Sequence, residues 1–531
     1  MAVGSPVHEG LIEDAEAAFA AGRLEAAEAS ARAVLAAAPG HDRARLLLAG
    51  ILAGQGRHGE VVALLAPVLM ARPGLVAAYR PLAAAQWETG AREAAVATWR
   101  GYMALRPGDG GALVGLGTAL RQIGRAEEAV AVLRRAVAML GALGAAAVAE
   151  ARMGLAEALL EALPAGGVAD EALAEARRVW AAAPGSAGLL ERCAKVLQHG
   201  GDHDAAEACC TAVLAIDPGR HETRMLRGMV RLVRGDFAAG WPEYEARRHA
   251  MARLGALRTP PAEPWRVPAD LRGRTVRVVL EQGMGDAVQF VRYLPLLAAR
   301  GARVEVVPLA PPLVPLLAAM PAVAGFVAQA GAAPAADVTV PLMSLPLAFG
   351  TELETVPAAV PYLAAPPERA AACRARLAAG GDARPRVGVA WWGNAAYAND
   401  ARRSISLARF APLLRREDVA FHVLAPALRE GEAEAAGLAT VHEGIGDFAD
   451  TAALVAEMDL VISVDTAVAH LAGALGRPVW ILLPFEPDWR WLLGRADSPW
   501  YPTARLFRQS AHGDWEGVVA RVREALDARH G

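Results

Sequence analysis

A chain of 531 residues is too long for a single hydrophobic core and predicts about three domains. Its 54 Lys and Arg against 57 Asp and Glu leave a net charge of −3, which supplies no basic field to recruit nucleic acid or an anionic membrane. The 54% apolar content is largely alanine in amphipathic patterns, with no unbroken apolar run of the roughly 18 residues that would span a bilayer. Met1 to Asp14 lacks a basic segment followed by an apolar one, so no export signal is read. Cys193, Cys209, Cys210 and Cys373 show neither zinc spacing nor a disulfide framework, so a cytoplasmic location and no metal site are expected.

The first half is periodic. Gly22, Gly56, Gly90 and Gly124 recur at 34 residues, and the Pro-Gly pairs that begin at Pro39, Pro73 and Pro107 repeat the same step. Each glycine precedes its proline by 17 residues, which predicts two helices joined by a glycine turn and closed by a Pro-Gly stop. Phase is lost across an insertion at Ala162 to Gly167 and returns with Pro184 and Pro218, and with Gly201 and Gly235. This unit resembles the tetratricopeptide repeat, and six or seven copies are expected within residues 1–253, ending near Met251. One such repeat cannot bury its own apolar face, so an all-α solenoid is expected, with a peptide or protein partner on its concave surface. The alternative is a spacer or dimerisation element.

Residues 254–272, with Thr259-Pro260-Pro261-Ala262-Glu263-Pro264-Trp265, read as a proline-rich linker. Beyond it, short β-branched runs alternate with helical stretches: Thr275–Leu280, Arg303–Val307, Arg386–Trp391, Val419–Leu424, Asp459–Val464 and Pro478–Leu483. That alternation predicts parallel sheets with crossover helices. The proline-rich stretch Val356–Pro367 and the pair Gly380-Gly381 divide this half into two Rossmann-like units, 273–370 and 384–531, with a ligand cleft expected between them.

Each unit carries one candidate site. In the first, Val278-Val279-Leu280-Glu281-Gln282 leads into Gly283-Met284-Gly285-Asp286, a strand, a tight turn and an acid at a helix start. Val288 stands where a dinucleotide fingerprint needs a third small residue, so that reading is weak. Asp286 either caps its helix or serves as a general base facing the cleft. In the second, the apolar strand ending at Val464 meets Asp465-Thr466, which opens a helix. The unpaired N–H groups and partial positive charge of a first helical turn suit a diphosphate. Thr466 and His470, four residues apart, share a helix face and can converge on one ligand; otherwise Asp465 or Thr466 only caps the helix and His470 is a core residue.

Gly283-Met284-Gly285-Asp286 together with Asp465-Thr466-x-x-x-His470-Leu471-Ala472-x-Ala474-Leu475-Gly476-x-Pro478 resembles the family 9 glycosyltransferases of the lipopolysaccharide heptosyltransferase type, which have the GT-B fold. Such a half behind tetratricopeptide repeats is similar in architecture to the protein O-GlcNAc transferases. The resemblance implies Asp286 as the catalytic base, and Gly283, Gly285, Asn394, Asp465, Thr466, Ala467 and His470 as contacts of the donor diphosphate and sugar. The family usually has glycine after Asp-Thr, where this chain has Ala467. It also places a basic residue after the first strand of the donor unit, a role that falls to Arg402 or Arg403 in the loop that begins at Gly393-Asn394. An arginine there can neutralise the leaving diphosphate in place of a metal.

Trp391, Trp392, Trp489, Trp491 and Trp500 are expected to be mostly packing residues, and Glu486 and Asp488 are weak candidates for sugar hydroxyls. The implied function is a metal-independent glycosyltransferase without a cofactor, moving a sugar from a nucleoside diphosphate sugar to an acceptor, with a protein on the repeats as one candidate. Two alternatives stand beside it: a nucleotide-sugar epimerase on the same scaffold, and a non-catalytic repeat scaffold with a degenerate GT-B domain. The first α/β unit, about Gly273–Ala365, is shorter than the acceptor half of typical GT-B enzymes.

Overall fold

The computed structural model describes residues 6–140, 145–162, 168–249, 265–328, 334–395, 400–425, 428–429, 432, 435–442 and 444–530. The expected linker 254–272 therefore lies mostly outside the described residues, as does most of the insertion at 162–167. No described helix is long and apolar enough to cross a membrane.

The repeat glycines act through backbone geometry. Gly22, Gly56, Gly90, Gly124, Gly201 and Gly235 all take φ between +74° and +87°, a left-handed conformation that a side chain would strain. They separate the helices of successive pairs: α1 Pro6–Ala20 and α2 Leu24–Ala37, α3 Asp42–Gly54 and α4 His58–Ala71, α5 Tyr79–Glu88 and α6 Arg92–Leu105, α7 Gly110–Gln122 and α8 Ala126–Leu140. The glycine-turned series continues with α11 Ala187–His199 and α12 His203–Ile216, and with α13 His221–Val233 and α14 Phe237–Tyr244, while the pair α9 Ala145–Glu161 and α10 Val168–Ala182 is joined through residues mostly outside the described ones. The described residues thus hold seven tetratricopeptide-like helix pairs.

By compactness the chain divides at Val196–Leu197. In the first unit the pairs bury an interior of Leu48, Leu52, Val61, Leu65, Tyr79, Leu82 and Tyr102. Hydroxyls fix the turns, with Tyr79 donating to the Pro73 carbonyl (2.9 Å) and Tyr102 to Asp109 (2.6 Å).

The second unit, from Leu197 onward, contains α12–α14 as well as the α/β region. Leu232, Val233, Phe237, Trp241 and Tyr244 from α13 and α14 share one core with strand residues such as Val276 and Val278. The strands are β1 Thr275–Val279, β2 Arg303–Val307, β3 Gly325–Phe326, β4 Val338–Pro341, β5 Arg386–Ala390, β6 Ala420–Val423, β7 Thr440–Val441, β8 Leu460–Val464, β9 Val479–Leu483 and β10 Ala504–Arg508. They form two fully parallel sheets ordered β3-β2-β1-β4 and β10-β9-β8-β5-β6-β7. Every residue of β8 and β9 is buried, as expected of inner parallel strands covered on both faces. Strand order reverses between β1 and β4 in the small sheet and between β5 and β8 in the large one, and ligands of doubly wound sheets gather at the carboxyl ends of such a reversal.

Candidate functional site

The reversal in the large sheet delivers Asp465 and Thr466 at the end of β8. Thr466 takes the N-cap position of the helix Ala467–Ala474 in extended conformation, with no side-chain cap hydrogen bond. Its carbonyl accepts from the N–H groups of Ala469 (3.0 Å) and His470 (3.3 Å). Its hydroxyl lies 3.0 Å from that of Ser463, which donates to the Val464 carbonyl (2.7 Å), so the Thr466 side chain leans back on the strand. Half-buried Ala467 opens the first turn.

His470 is only 4% exposed. Its ring stacks on Trp491 at 5.2 Å, its Nδ1 lies 2.9 Å from the Tyr501 hydroxyl, and its Nε2 lies 3.8 Å from Asp465. Burial first, then the charges of Arg490, Arg292 and Arg403, hold it well below the ordinary histidine range, so it is neutral at pH 7. The bonding pattern suits a tautomer in which Tyr501 donates to Nδ1 and Nε2–H points toward Asp465. Burial, with repulsion from Asp488, pushes Asp465 up to about 6 against the pull of Arg403 and Arg490.

The turn after β1 meets this helix directly. A Cβ on Gly285 would stand 2.9 Å from His470 Cδ2 and 3.5 Å from Ala467 Cα, so a glycine is what lets the two helices touch. Asp286 follows it. One of its oxygens accepts the Gly283 N–H (2.7 Å), and the other is bonded by Arg490, so the acid both caps its helix and is ion-paired. Burial pushes Asp286 up from the ordinary carboxylate value against the attraction of Arg490. Arg490 also bonds Asp488 (2.7 Å), which in turn caps the short turn Trp489–Trp491 through the Arg490 N–H (3.0 Å). Its guanidinium lies 4.2 Å from the Trp489 ring centroid and 5.8 Å from that of Phe290.

The loop after β5 contributes unevenly. Arg403 pairs with buried Asp400 (3.4 Å), and its charge reaches both Asp465 and His470. Arg402 acts instead on Glu486 and His512, toward the ends of β9 and β10. Asn394 is exposed, and residues 396–399 lie outside the described residues. Gly393 is crowded by Asp400 and Arg403, and its carbonyl accepts from Arg429 (2.7 Å).

The structure therefore gathers Asp286, Gly283, Gly285, Asp465, Thr466, Ala467, His470 and Arg403 around the meeting of two helix starts, and turns Arg402 elsewhere. The weak sugar candidates are engaged: Glu486 lies 3.1 Å from both His203 and Gln198, and Asp488 is paired with Arg490. Trp391, Trp489, Trp491 and Trp500 are buried packing residues, and Trp392 packs on Trp391 with ring centroids 4.4 Å apart. Sequence pattern does not single out Arg490 or Tyr501; the available signal is an arginine between two tryptophans in the loop that follows β9. Among the described residues no group of three or more His, Cys, Asp or Glu is placed to hold a metal.

Residues 18–86 and 111–139 match tetratricopeptide-repeat families. The N-terminal region thus carries tetratricopeptide repeats. Residues 436–482 of the repeat protein match glycosyltransferase family 9 (heptosyltransferase), a span that holds β7 to β9 with Asp465, Thr466, Ala467 and His470 but not Asp286, Asn394, Arg402 or Arg403. The chain is 29% identical to the protein FlbA of Caulobacter vibrioides over 61% of its own length, and spans 59% of that relative. It is also similar to a tetratricopeptide repeat protein from Parabacteroides merdae (19% identity, 47% of this chain and 98% of that one, TM-score 0.38). MamA from Desulfovibrio magneticus is a further match (17% identity, 35% and 97% coverage, TM-score 0.29).

Proposed function

We propose that the second unit is a GT-B glycosyltransferase that binds a nucleoside diphosphate sugar at the start of the helix Ala467–Ala474 and transfers the sugar to an acceptor hydroxyl. The observation that carries this reading is the position of Asp465-Thr466 at the strand-order reversal of a parallel sheet, opening a helix whose first turn has no side-chain cap, inside the segment that matches family 9. The helix N–H groups and the Arg403 charge take up the charge of the leaving diphosphate, so no metal is required. Neutral His470 offers a hydrogen-bond donor without adding charge. Asp286 accepts the proton of the acceptor hydroxyl as that oxygen bonds to the sugar C1 and the bond from C1 to the diphosphate oxygen breaks. The helix pairs supply a surface for a protein acceptor, and a cytoplasmic setting suits the nucleotide-sugar donor and the four buried cysteines, none of which is in a disulfide.

A binding module without transfer is favoured by one observation, the double engagement of Asp286 by Gly283 and Arg490. The test is a thermal-shift and calorimetric titration of the full chain with UDP, GDP, ADP, CDP and dTDP and their common sugar conjugates. One diphosphate is expected to bind saturably and to lose about tenfold in affinity in Thr466→Val. A wild type that binds none of the panel overturns the reading. Binding without sugar transfer or slow sugar release would favour the module.

A further inference from the structure

We propose that Arg490 is the side chain that receives the donor diphosphate, and that Asp286 is held out of action by this arginine until the donor arrives. The inference rests on the glycosyltransferase reading above and adds an order to it: donor first, then a competent base.

Position comes first. Arg490 is 5% exposed and is followed by Trp491, which stacks on His470 at 5.2 Å. The acid it grips follows Gly285, where an added Cβ would lie 3.5 Å from Ala467 Cα. Both chain neighbours of this ion pair thus reach the helix Ala467–Ala474, and the charge of Arg490 is felt by both Asp465 and His470.

The bonding of Arg490 is incomplete. One terminal nitrogen holds Asp286 and the other holds Asp488, while its Nε is buried with no hydrogen-bond partner among the described residues. A buried donor left unpaired is costly, and an anion that engaged Nε together with one terminal nitrogen would satisfy it in the forked geometry that guanidinium offers to phosphate. The local charge favours the same exchange. Asp286 and Asp488 share this one guanidinium, and Asp465 adds a third carboxyl nearby. Breaking a buried ion pair with nothing in its place is strongly unfavourable, but replacing the Asp286 carboxylate by a phosphate oxygen keeps the arginine paired. Asp488 remains as the tether, because it also accepts the backbone N–H of Arg490, and the Trp489 ring holds the plane of the guanidinium.

The exchange resolves the engagement of the base. With Arg490 on one oxygen and the Gly283 N–H on the other, Asp286 has no oxygen free of a hydrogen bond and a neighbouring cation favours its charged form, both of which weaken it as a proton acceptor. Transfer of Arg490 to the diphosphate frees one oxygen and removes that cation, so the acid becomes basic only when a sugar donor is in place.

The two residues then compete for one arginine, and their substitutions have opposite effects on binding. Calorimetric titration of the full chain with the nucleoside diphosphate selected from the panel is expected to show a loss of about tenfold or more in Arg490→Gln, the worth of a charge-assisted hydrogen bond. In Asp286→Asn, affinity is expected to rise by about threefold or more, because the competing charge is gone while the side chain can still accept the Gly283 N–H. Arg490→Gln/Asp286→Asn should bind like Arg490→Gln alone. If Arg490→Gln does not fold, the Asp286→Asn result still decides, and Arg490→Lys, which keeps the charge without the fork, should bind more weakly than wild type. Wild-type affinity in Arg490→Gln, or unchanged or weakened binding in Asp286→Asn, overturns this proposal while leaving the donor site standing. Absence of diphosphate binding in the wild type overturns both.

Discussion

Trp241 lies in α14, a repeat helix by sequence, yet it is only 2% exposed and packs within the α/β core. Its ring meets Phe237 at 5.3 Å, Trp489 at 5.2 Å, and Phe290 and Trp500 at 6.5 Å, while its indole N–H donates to the Thr351 carbonyl at 3.0 Å. Trp241→Ala removes a large buried side chain, a change that costs about 3–5 kcal/mol, and leaves a buried carbonyl unpaired at about 1–3 kcal/mol more. The sum, about 4–8 kcal/mol, is a large share of the stability of an ordinary domain. The loss should also reach the candidate site, because Trp489 is the platform under Arg490. Urea denaturation followed by tryptophan fluorescence, with hydrogen exchange at β1 and β9 read by mass spectrometry, separates the second unit from the first. A cost below about 1 kcal/mol, or loss of protection confined to α13 and α14, would refute the claim that these helices share the α/β core.

Gly285→Ala should weaken diphosphate binding and cost about 1–3 kcal/mol of stability through overpacking, read as a lower urea midpoint, since His470 is pinned by Tyr501 and Trp491 and cannot yield to the new methyl; an unchanged midpoint and affinity would contradict this. The rings of His422 and His442 are 3.0 Å apart at their nearest nitrogens, and burial holds His422 down to about 4. Its depressed value means that the stability it contributes is present above the ordinary 6.5 and lost as pH falls toward 4, by up to about 3 kcal/mol. Asp465, raised to about 6, has the opposite sign: its contribution is full below the ordinary 3.8 and fades as pH rises through 6. Urea midpoints from pH 7 to 4.5 should therefore fall less steeply in His422→Gln than in wild type, and parallel curves would disprove the histidine contribution. All four cysteines are buried, and burial pushes Cys193 up to about 12, so a thiol reagent at pH 8 should label the native chain slowly and take up four equivalents only after denaturation.

Local chemistry made much of this protein legible in its sequence. The 34-residue recurrence works because Gly22, Gly56, Gly90, Gly124, Gly201 and Gly235 each occupy a left-handed turn that other residues resist, so the period of the letters is the period of the backbone. The six strands read from β-branched runs correspond to β1, β2, β5, β6, β8 and β9, inner strands whose burial on both faces favours apolar runs, broken in β1 and β2 by Arg277 and Glu305, which pair with each other at 2.8 Å, and by Arg303 at the exposed start of β2, and in β6 by His422. The edge strands β3 and β7, two residues each, carry no pattern to read, and β10 is an edge strand interrupted by exposed Arg505 and half-buried Arg508. What depended on tertiary structure was every pairing between distant segments. The sharing of a core by α13, α14 and the first sheet arises from apolar faces that only packing brings together. The engagement of Asp286 by Arg490 spans 204 residues of chain, and no local rule selects that partner from among the many arginines. Thr466 could be read as a capping residue, but Ser463 competes for its hydroxyl once β8 and its turn are folded, and that competition leaves the first helical turn without a side-chain cap.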